Sequence, residues 1–169
     1  VMSVNKNQLE SQITLINDDL KNAPKIFQDK SFEIVTCNPP YFKYLKSSNI
    51  NKNDYLTIAR HEVLTNLEEI LKTSYKLLKD KGSLFLIHRP ERLVEIITLM
   101  RQFKLEPKKI RFVYPKMDKK ANHVLIEGVK NAKPGSLKVL NPLYIYQDGK
   151  LTEEVLSIYN LGREEDAFK

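Results

Sequence analysis

Residues 32–44 of this 169-residue chain read FEIVTCNPPYFKY, an apolar, β-rich run that ends at two adjacent prolines. Each proline lacks a backbone N–H and fixes its own φ, so neither a strand nor a helix continues through the pair. The run FEIVTC (32–37) therefore predicts a strand, and Asn38-Pro39-Pro40-Tyr41 predicts a rigid corner at its carboxyl end. Ligands of open α/β sheets bind outside the carboxyl ends of the strands, so this corner is well placed to form a site.

The segments around the corner alternate between strand and helix patterns. Further strands are predicted at QITLIN (12–17), SLFLIH (83–88), KIRFVYP (109–115) and HVLIEGVK (123–130). Helices are predicted up to about Gln28, from about Ala59 to Leu78 with KDKG (79–82) as the stop, from Glu91 to Phe103, and over 152–159. Residues 137–149 indicate an extended appendage. Strands separated by helices are expected to be parallel, whereas the last two are close enough to form an antiparallel hairpin.

The composition is that of one globular domain with a real core. Hydrophobic residues make up 41% of the chain and charged residues 29%. A single cysteine, Cys37, excludes an intramolecular disulfide and a metal site built from several cysteines. No run approaches the roughly 18 apolar residues that span a bilayer, and the first residues lack a signal-peptide pattern. We therefore expect a cytoplasmic protein without a membrane segment.

Positive charge is concentrated in one part of the sequence. The formal net charge is +7, and between residues 101 and 145 eleven Lys or Arg face three acids, a local balance of +8. This segment has the charge to hold a polyanion such as RNA, although a solubilising surface is an equally good interpretation. The tail after Tyr146 is more acidic, so we do not expect it to contact phosphates.

The residue types at the corner suit an exocyclic amino group on a flat ring. The lone pair of such a nitrogen is delocalised into the ring, and two converging acceptors draw the nitrogen towards tetrahedral geometry. The side-chain oxygen of Asn38 and the carbonyl of Pro39, whose direction the prolines fix, can be those acceptors. Tyr41 offers a face on which the ring can stack. An Asn-Pro-Pro run is also an ordinary turn, and that interpretation stays open.

Asn38-Pro39-Pro40-Tyr41 resembles motif IV, (N/D)PP(Y/F), of the class I S-adenosylmethionine-dependent amino-methyltransferases. More closely, the chain resembles the bacterial valine-tRNA adenine-N6-methyltransferase family, related to the methyltransferase small domain. The similar segments are NDDLK (17–21), VTCNPPYF (35–42), RHE (60–62), LFLIHRPERL (84–93), EPKKIRFVYPKMDKKANHVLIEG (106–128), KPGSLKVLNPLYIY (133–146) and LTEEVLSIY (151–159). NPPY is shared by methyltransferases of adenine, cytosine and glutamine, so it indicates the chemistry and not the substrate.

The resemblance implies a Rossmann-like class I methyltransferase sheet that is mostly parallel and ends in an antiparallel hairpin. Such enzymes begin with a strand and a glycine-rich turn under the cofactor, but all five glycines of this chain follow residue 80. We therefore expect the first two strands to be missing and residues 1–169 to be the C-terminal two-thirds of one methyltransferase domain. Without those strands the neighbouring ones keep unpaired edges, and the chain alone is expected to bind cofactor poorly.

The resemblance also implies roles for individual residues. S-adenosylmethionine would be held by an acid after QITLIN, with Asp19 the first choice and Asp18 the second, beside Leu20 and Asn38; one of the two acids is alternatively a helix cap. The catalytic residues would be Asn38, Pro39, Pro40 and Tyr41, and Tyr41 with Phe42 would receive an adenine turned out of its stack. Methyl transfer from a sulfonium needs no metal and no strong base.

Contacts with RNA phosphates are expected from basic residues near the strand ends. The candidates are Arg89, Arg92, Lys116, Lys119 and Lys120. Arg92 is alternatively part of a surface ion pair with Glu91 or Glu95. His61 and His88 are interpreted as structural hydrogen-bond partners, because the chemistry needs no proton carrier.

The function expected from the sequence is methylation of the exocyclic amino group of adenine in tRNA, with the valine-tRNA anticodon loop implied by resemblance. One alternative is the same chemistry on DNA adenine or on a protein glutamine. Another is a non-catalytic RNA-binding fragment. The particular RNA, the particular adenine and the oligomeric state stay open.

Overall fold

The computed structural model describes residues 2–27, 32–39 and 67–159. Its helices are α1 (Met2–Lys6), α2 (Ala23–Ile26), α3 (Leu67–Leu77), α4 (Leu93–Gln102) and α5 (Glu153–Ile158), with 3₁₀ turns at Leu20–Asn22 and Pro90–Arg92. Its strands are β1 (Phe32–Cys37), β2 (Leu78–His88), β3 (Leu105–Tyr114), β4 (His123–Lys130), β5 (Lys138–Val139), β6 (Leu143–Tyr144), β7 (Tyr146–Gln147) and β8 (Lys150–Leu151). No helix of this described part is long and apolar enough to cross a membrane.

The main sheet combines parallel strands with an antiparallel hairpin, as predicted. Its order is β1-β2-β4-β3-β5, and β6 also pairs with β3. β1 runs parallel to β2, β4 runs antiparallel to both β2 and β3, and β5 and β6 run parallel to β3. The carboxyl ends of β1, β2 and β3 and the start of β4 therefore meet along one border of the sheet, which we call the site edge.

One face of the sheet carries the core because side chains alternate between the two faces of a strand. Leu84 and Leu86 of β2 and Ile126 of β4 are almost fully buried on this face. They pack in one cluster with residues of α3 and α4, among them Leu71 and Ile96. The helices thus cover one side of the sheet, while alternate residues such as Phe85 and Leu125 belong to the other.

The segment predicted as an extended appendage is extended, and it is held against the edge of the sheet. The N–H of Leu140 donates to the carbonyl of Ile110 at 2.8 Å, and that of Ile145 donates to Tyr114 at 2.9 Å. Beyond them, Val155 of α5 packs with Val113 and Leu143 in a second, smaller apolar cluster. The C-terminal segment is therefore part of the domain and borders the site edge.

The prediction of a strand at QITLIN was wrong for the described structure. Residues 13–17 have no regular secondary structure, and Ile13, Leu15 and Ile16 are 41–52% exposed. A strand exists only where a neighbour completes its ladder of hydrogen bonds, and none of the described strands pairs with this segment. The β-rich pattern indicates only that these residues prefer an extended backbone. It does not provide a neighbouring strand with which they could pair.

The long helix ends at Leu77, within one residue of the predicted end ahead of KDKG, but the next strand begins at Leu78 and not at Ser83 as predicted. Of the predicted helix, residues 59–66 lie outside the described residues, and α3 passes directly into β2 at Leu78. Leu78 pairs with Phe32 and Ser83 pairs with Ile34. Four residues of β2 therefore lie between these two pairs, as a bulge opposite a single residue of β1. Lys81 reaches a positive φ of 66° within this bulge. β3 likewise begins earlier than predicted, at Leu105, because a register shift after Pro107 accommodates the proline.

Gly82→Ala is expected to destabilise the fold by about 1–3 kcal/mol, the usual cost of forcing extra atoms into a packed site. A Cβ at residue 82 would lie 2.9 Å from the carbonyl oxygens of both Glu33 and Lys79, which are backbone atoms and cannot rotate away. Urea unfolding followed by circular dichroism measures the loss. A midpoint unchanged from that of the parent chain would contradict the close approach of β1 and β2.

Candidate active site

The corner after β1 presents Asn38 to solvent above a buried proline. Burial alternates at this end of the strand: the Cys37 side chain packs against the core, Asn38 is exposed and Pro39 is buried. Burial also raises the pKa of the Cys37 thiol, so that Cys37 is a neutral packing residue. Pro40, Tyr41 and Phe42, together with His61, lie outside the described residues. The structure therefore places the first half of the predicted corner at the site edge.

Asn38 lines a hollow of about 410 Å³. Its walls come largely from the face of the sheet that the described helices do not cover, including Phe85 and Ile87 of β2 and Leu125 of β4. Apolar side chains dominate this lining, so the Asn38 amide is a polar group at the border of an apolar surface. Such a surface suits a flat ring whose edge carries hydrogen-bond donors.

Asp18 and Asp19 form a hydrogen-bonded turn ahead of the first 3₁₀ helix. Oδ1 of Asp19 accepts from the N–H of Lys21 at 2.9 Å and so caps this helix. Oδ1 of Asp18 accepts from Nδ2 of Asn22 at 2.8 Å and from the N–H of Asp19 at 2.6 Å, and these bonds lower the pKa of Asp18. Capping, the alternative role predicted for one of the pair, thus belongs to Asp19. Both carboxylates are exposed and retain acceptor capacity, and Leu20 beside them is half-buried.

The turn after β2 is tied together by His88 and two arginines. His88 is buried, and its Nδ1 accepts from the N–H of Arg89 at 2.8 Å. Burial, helped by the nearby Arg92 guanidinium, lowers the pKa of His88, which makes the ring neutral at pH 7. A neutral, buried ring agrees with the predicted structural role.

The two arginines of this turn are engaged within the protein. Nη1 of Arg89 donates to the carbonyl of Asn122 at 3.3 Å and so links the end of β2 to the start of β4. Arg92 makes a bidentate contact with Glu95, with Nε to Oε2 at 2.9 Å and Nη2 to Oε1 at 2.6 Å. The ion pair predicted as the alternative for Arg92 is therefore present.

The loop between β3 and β4 supplies exposed cations to the site edge. Lys116, Lys119 and Lys120 all have exposed side chains. Nζ of Lys119 lies 3.6 Å from a carboxylate oxygen of Asp118, while Lys116 and Lys120 form no ion pair within the described part of the chain. These three lysines lie on one loop, as expected from their positions in the sequence.

Several other members of the basic segment serve internal contacts, which the charge count did not reveal. Lys109 pairs with Glu127 at 2.7 Å and Arg111 pairs with Glu154 at 2.6 Å. Nζ of Lys108 donates to the carbonyls of Lys133 and Gly135, in the loop that follows β4. The local charge of +8 is therefore a poor measure of the cationic surface that a polyanion can reach.

No family model matches the sequence. A tRNA1(Val) (adenine(37)-N6)-methyltransferase from Parabacteroides distasonis is 32% identical over 141 residues, which cover 76% of this chain. The chain spans only 58% of the length of that curated relative. The match confirms the resemblance expected from NPPY and the segments around it.

Solved structures confirm the fold class. A predicted O-methyltransferase from Agrobacterium tumefaciens superposes with a TM-score of 0.70 at 20% identity, covering 94% of this chain and 69% of that chain. A type I restriction-modification methyltransferase subunit from Streptococcus thermophilus has a TM-score of 0.51 at 14% identity, covering 88% of this chain and 36% of that chain. The sheet described above is thus that of a Rossmann-like class I methyltransferase.

Proposed function

From the chain's kinship with a curated tRNA1(Val) (adenine(37)-N6)-methyltransferase and its methyltransferase fold, we propose that it acts in transfer of a methyl group to the exocyclic amino group of adenine in tRNA. The methyl donor in this proposal is S-adenosylmethionine. The valine-tRNA anticodon loop is the substrate suggested by the relative's name.

The position of Asn38 is the observation that carries the proposal. Its amide is exposed at the carboxyl end of β1, borders an apolar hollow, and stands on a buried proline that limits its backbone movement. The side-chain oxygen and the Pro39 carbonyl accept hydrogen bonds from the two N–H groups of the target amine. These bonds free the lone pair of the nitrogen for attack on the methyl group. The reacting nitrogen then passes its extra proton to water.

The chain's own residues offer a place for the cofactor. S-adenosylmethionine supplies an electrophilic methyl group on a sulfonium. Asp18 and Asp19 are exposed carboxylates, and hydrogen bonds keep the pKa of Asp18 below its usual range, so Asp18 is an ionised acceptor at neutral pH. Either carboxylate suits the amino group of the cofactor's adenine, with Leu20 beside it.

Phosphate contacts are assigned to the lysines of the β3–β4 loop. Lys116, Lys119 and Lys120 are exposed at the site edge, on which Asn38 also lies. Arg89, which is half-buried and bonded to Asn122, is the second contributor in this proposal. Side chains of this kind position an RNA backbone without reading its sequence.

Incubation of the chain with transcribed valine tRNA and isotopically labelled S-adenosylmethionine tests the proposal. Because the chain alone is expected to bind cofactor poorly, a cofactor titration first sets a saturating concentration. We expect label in N6-methyladenosine after nuclease digestion and mass spectrometry, and none when the target adenine is replaced by guanine. A DNA duplex and a glutamine-containing peptide serve as competing substrates. Label in either of them but not in tRNA contradicts the proposal, and RNA binding without cofactor binding would favour the non-catalytic alternative.

A further inference from the structure

A second hollow, of about 600 Å³, lies beside the carboxyl end of β3. We call it the tyrosine hollow, and its lining includes Lys116, Met117, Tyr144, Tyr146, Asp148 and Glu154. Because β6 runs parallel to β3 with Tyr144 beside Tyr114, this hollow opens on the site edge. It is separate from the hollow that Asn38 lines.

The walls of the tyrosine hollow are fixed by hydrogen bonds and ring contacts. The ring of Tyr144 packs on that of Tyr114 with centroids 5.4 Å apart, and its carbonyl accepts from Oγ1 of Thr152 at 2.7 Å. The N–H of Tyr146 donates to the carbonyl of Pro115 at 3.0 Å. Asp148 and Gly149, both at positive φ, close the β7–β8 hairpin as a tight turn. A ligand therefore meets a preformed surface.

We propose that the tyrosine hollow binds a second base of the RNA strand whose adenine is methylated, an inference that rests on the proposed function. Tyr146 is 43% exposed and offers a free ring area at the hollow. Aromatic faces of this kind stack with any base. The chain would then recognise an unstacked nucleotide in addition to attracting the phosphates of the RNA.

The polar groups of the hollow suit the hydrogen-bonding edge of a base. The lining contains three carboxylates, Asp118, Asp148 and Glu154, and one cation, Lys116. Glu154 and Asp118 also lie beside Arg111 and Lys119, but carboxylate oxygens can still accept hydrogen bonds from the amino and ring N–H groups of a base. The phosphates are left to the exposed lysines of the neighbouring loop.

The spacing along the site edge suits a single strand of RNA. Asn38 follows β1, and the tyrosine hollow lies at β3 and β6, three to four strands away in the sheet. At about 4.8 Å between strands this separation is about 14–19 Å. A stacked strand rises about 3.4 Å per nucleotide and an unstacked strand rises more, so the two bases are at most about four to six nucleotides apart. Arg89 and the loop lysines lie between them, where the connecting phosphates would pass.

Tyr146→Ala is expected to weaken binding of a short RNA hairpin, with an adenine-containing single-stranded loop, by about 5- to 150-fold. That range corresponds to the loss of one stacked base. Fluorescence anisotropy of the labelled hairpin, without cofactor, measures the affinity. Tyr146→Phe keeps the ring and should bind within about twofold of the parent chain. Tyr159→Ala removes a tyrosine that is 69% exposed, directly follows α5 and does not line the hollow, and it is the matched control.

Abasic substitutions in the hairpin loop identify the base concerned. At one position, loss of the base should weaken binding to the parent chain and have no further effect on Tyr146→Ala. Equal affinity of Tyr146→Ala and the parent chain for the intact hairpin overturns the inference.

These outcomes separate the inference from the proposed function. Methylation of tRNA adenine with no effect of Tyr146→Ala would remove the base site and leave the enzyme assignment intact. A ring-dependent affinity for RNA without any methyl transfer would support the base site and contradict the enzyme assignment.

Discussion

Asn38→Ala is expected to lower the turnover of adenine methylation by about 10²–10³-fold, the usual effect of removing one preorganised group that stabilises a transition state. The alanine keeps the backbone of the corner but removes the side-chain acceptor for the target amine. Because this acceptor acts on the reacting nitrogen and not on the RNA backbone, affinity for the tRNA should change less than threefold. Single-turnover methylation and RNA anisotropy measured on the same preparation separate the two effects.

Two further variants serve as comparisons for Asn38→Ala. Asn38→Asp retains an oxygen acceptor and should recover a large part of the rate lost in alanine. Asn141→Ala removes the same side chain at an exposed position where the backbone carbonyl, bonded to Nε of Arg111 at 2.9 Å, is the contact that matters. We expect it to methylate at the parent rate. Turnover of Asn38→Ala within about threefold of the parent chain would refute the role of the side chain.

The site was predictable where a local signal was sufficient. Two adjacent prolines interrupt the hydrogen bonding of a strand, so the end of β1 at Cys37 followed from the residues themselves. The hairpin of β3 and β4 followed from the short loop between two β-rich runs. These features depend on the backbone preferences of a few consecutive residues.

The sequence was less informative wherever a distant partner decides the outcome. Residues 13–17 have a strand's composition, but among the described strands none pairs with them. Lys109 and Arg111 count as free cations in the sequence, but in the structure they form ion pairs with Glu127 and Glu154. The tyrosine hollow left one trace in the sequence, the alternating aromatics of LYIY (143–146), but its walls come from three separate segments.

Lys130 is the clearest case of a charge that the sequence placed wrongly. It is one of the eleven basic residues counted between residues 101 and 145 as charge that could hold a polyanion. Its side chain, however, is only 1% exposed. Its Nζ donates to the carbonyls of Tyr75 at 2.6 Å and Leu78 at 2.7 Å, and lies 4.2 Å from the centroid of the Tyr75 ring. The last carbonyls of a helix have no partner within it and carry its negative dipole end. Lys130 therefore caps the carboxyl end of α3 from β4, a contribution that the KDKG pattern did not reveal.

Lys130→Met is expected to lower the free energy of unfolding by about 2–4 kcal/mol. The methionine fills a similar volume but donates no hydrogen bond, and each buried carbonyl left without a donor costs about 1–3 kcal/mol, partly offset because no charge is then buried. Urea unfolding measures the difference, with Lys138→Met, at an exposed position of β5, as the matched control.

The effect of Lys130→Met should be confined to stability. Lys130 ends β4 at the border opposite the site edge, so RNA affinity and methylation should be unchanged well below the unfolding midpoint. An unfolding free energy within about 0.5 kcal/mol of the parent value would show that the desolvation of the ammonium group cancels its two hydrogen bonds, and the assignment of Lys130 as the cap of α3 would then be wrong.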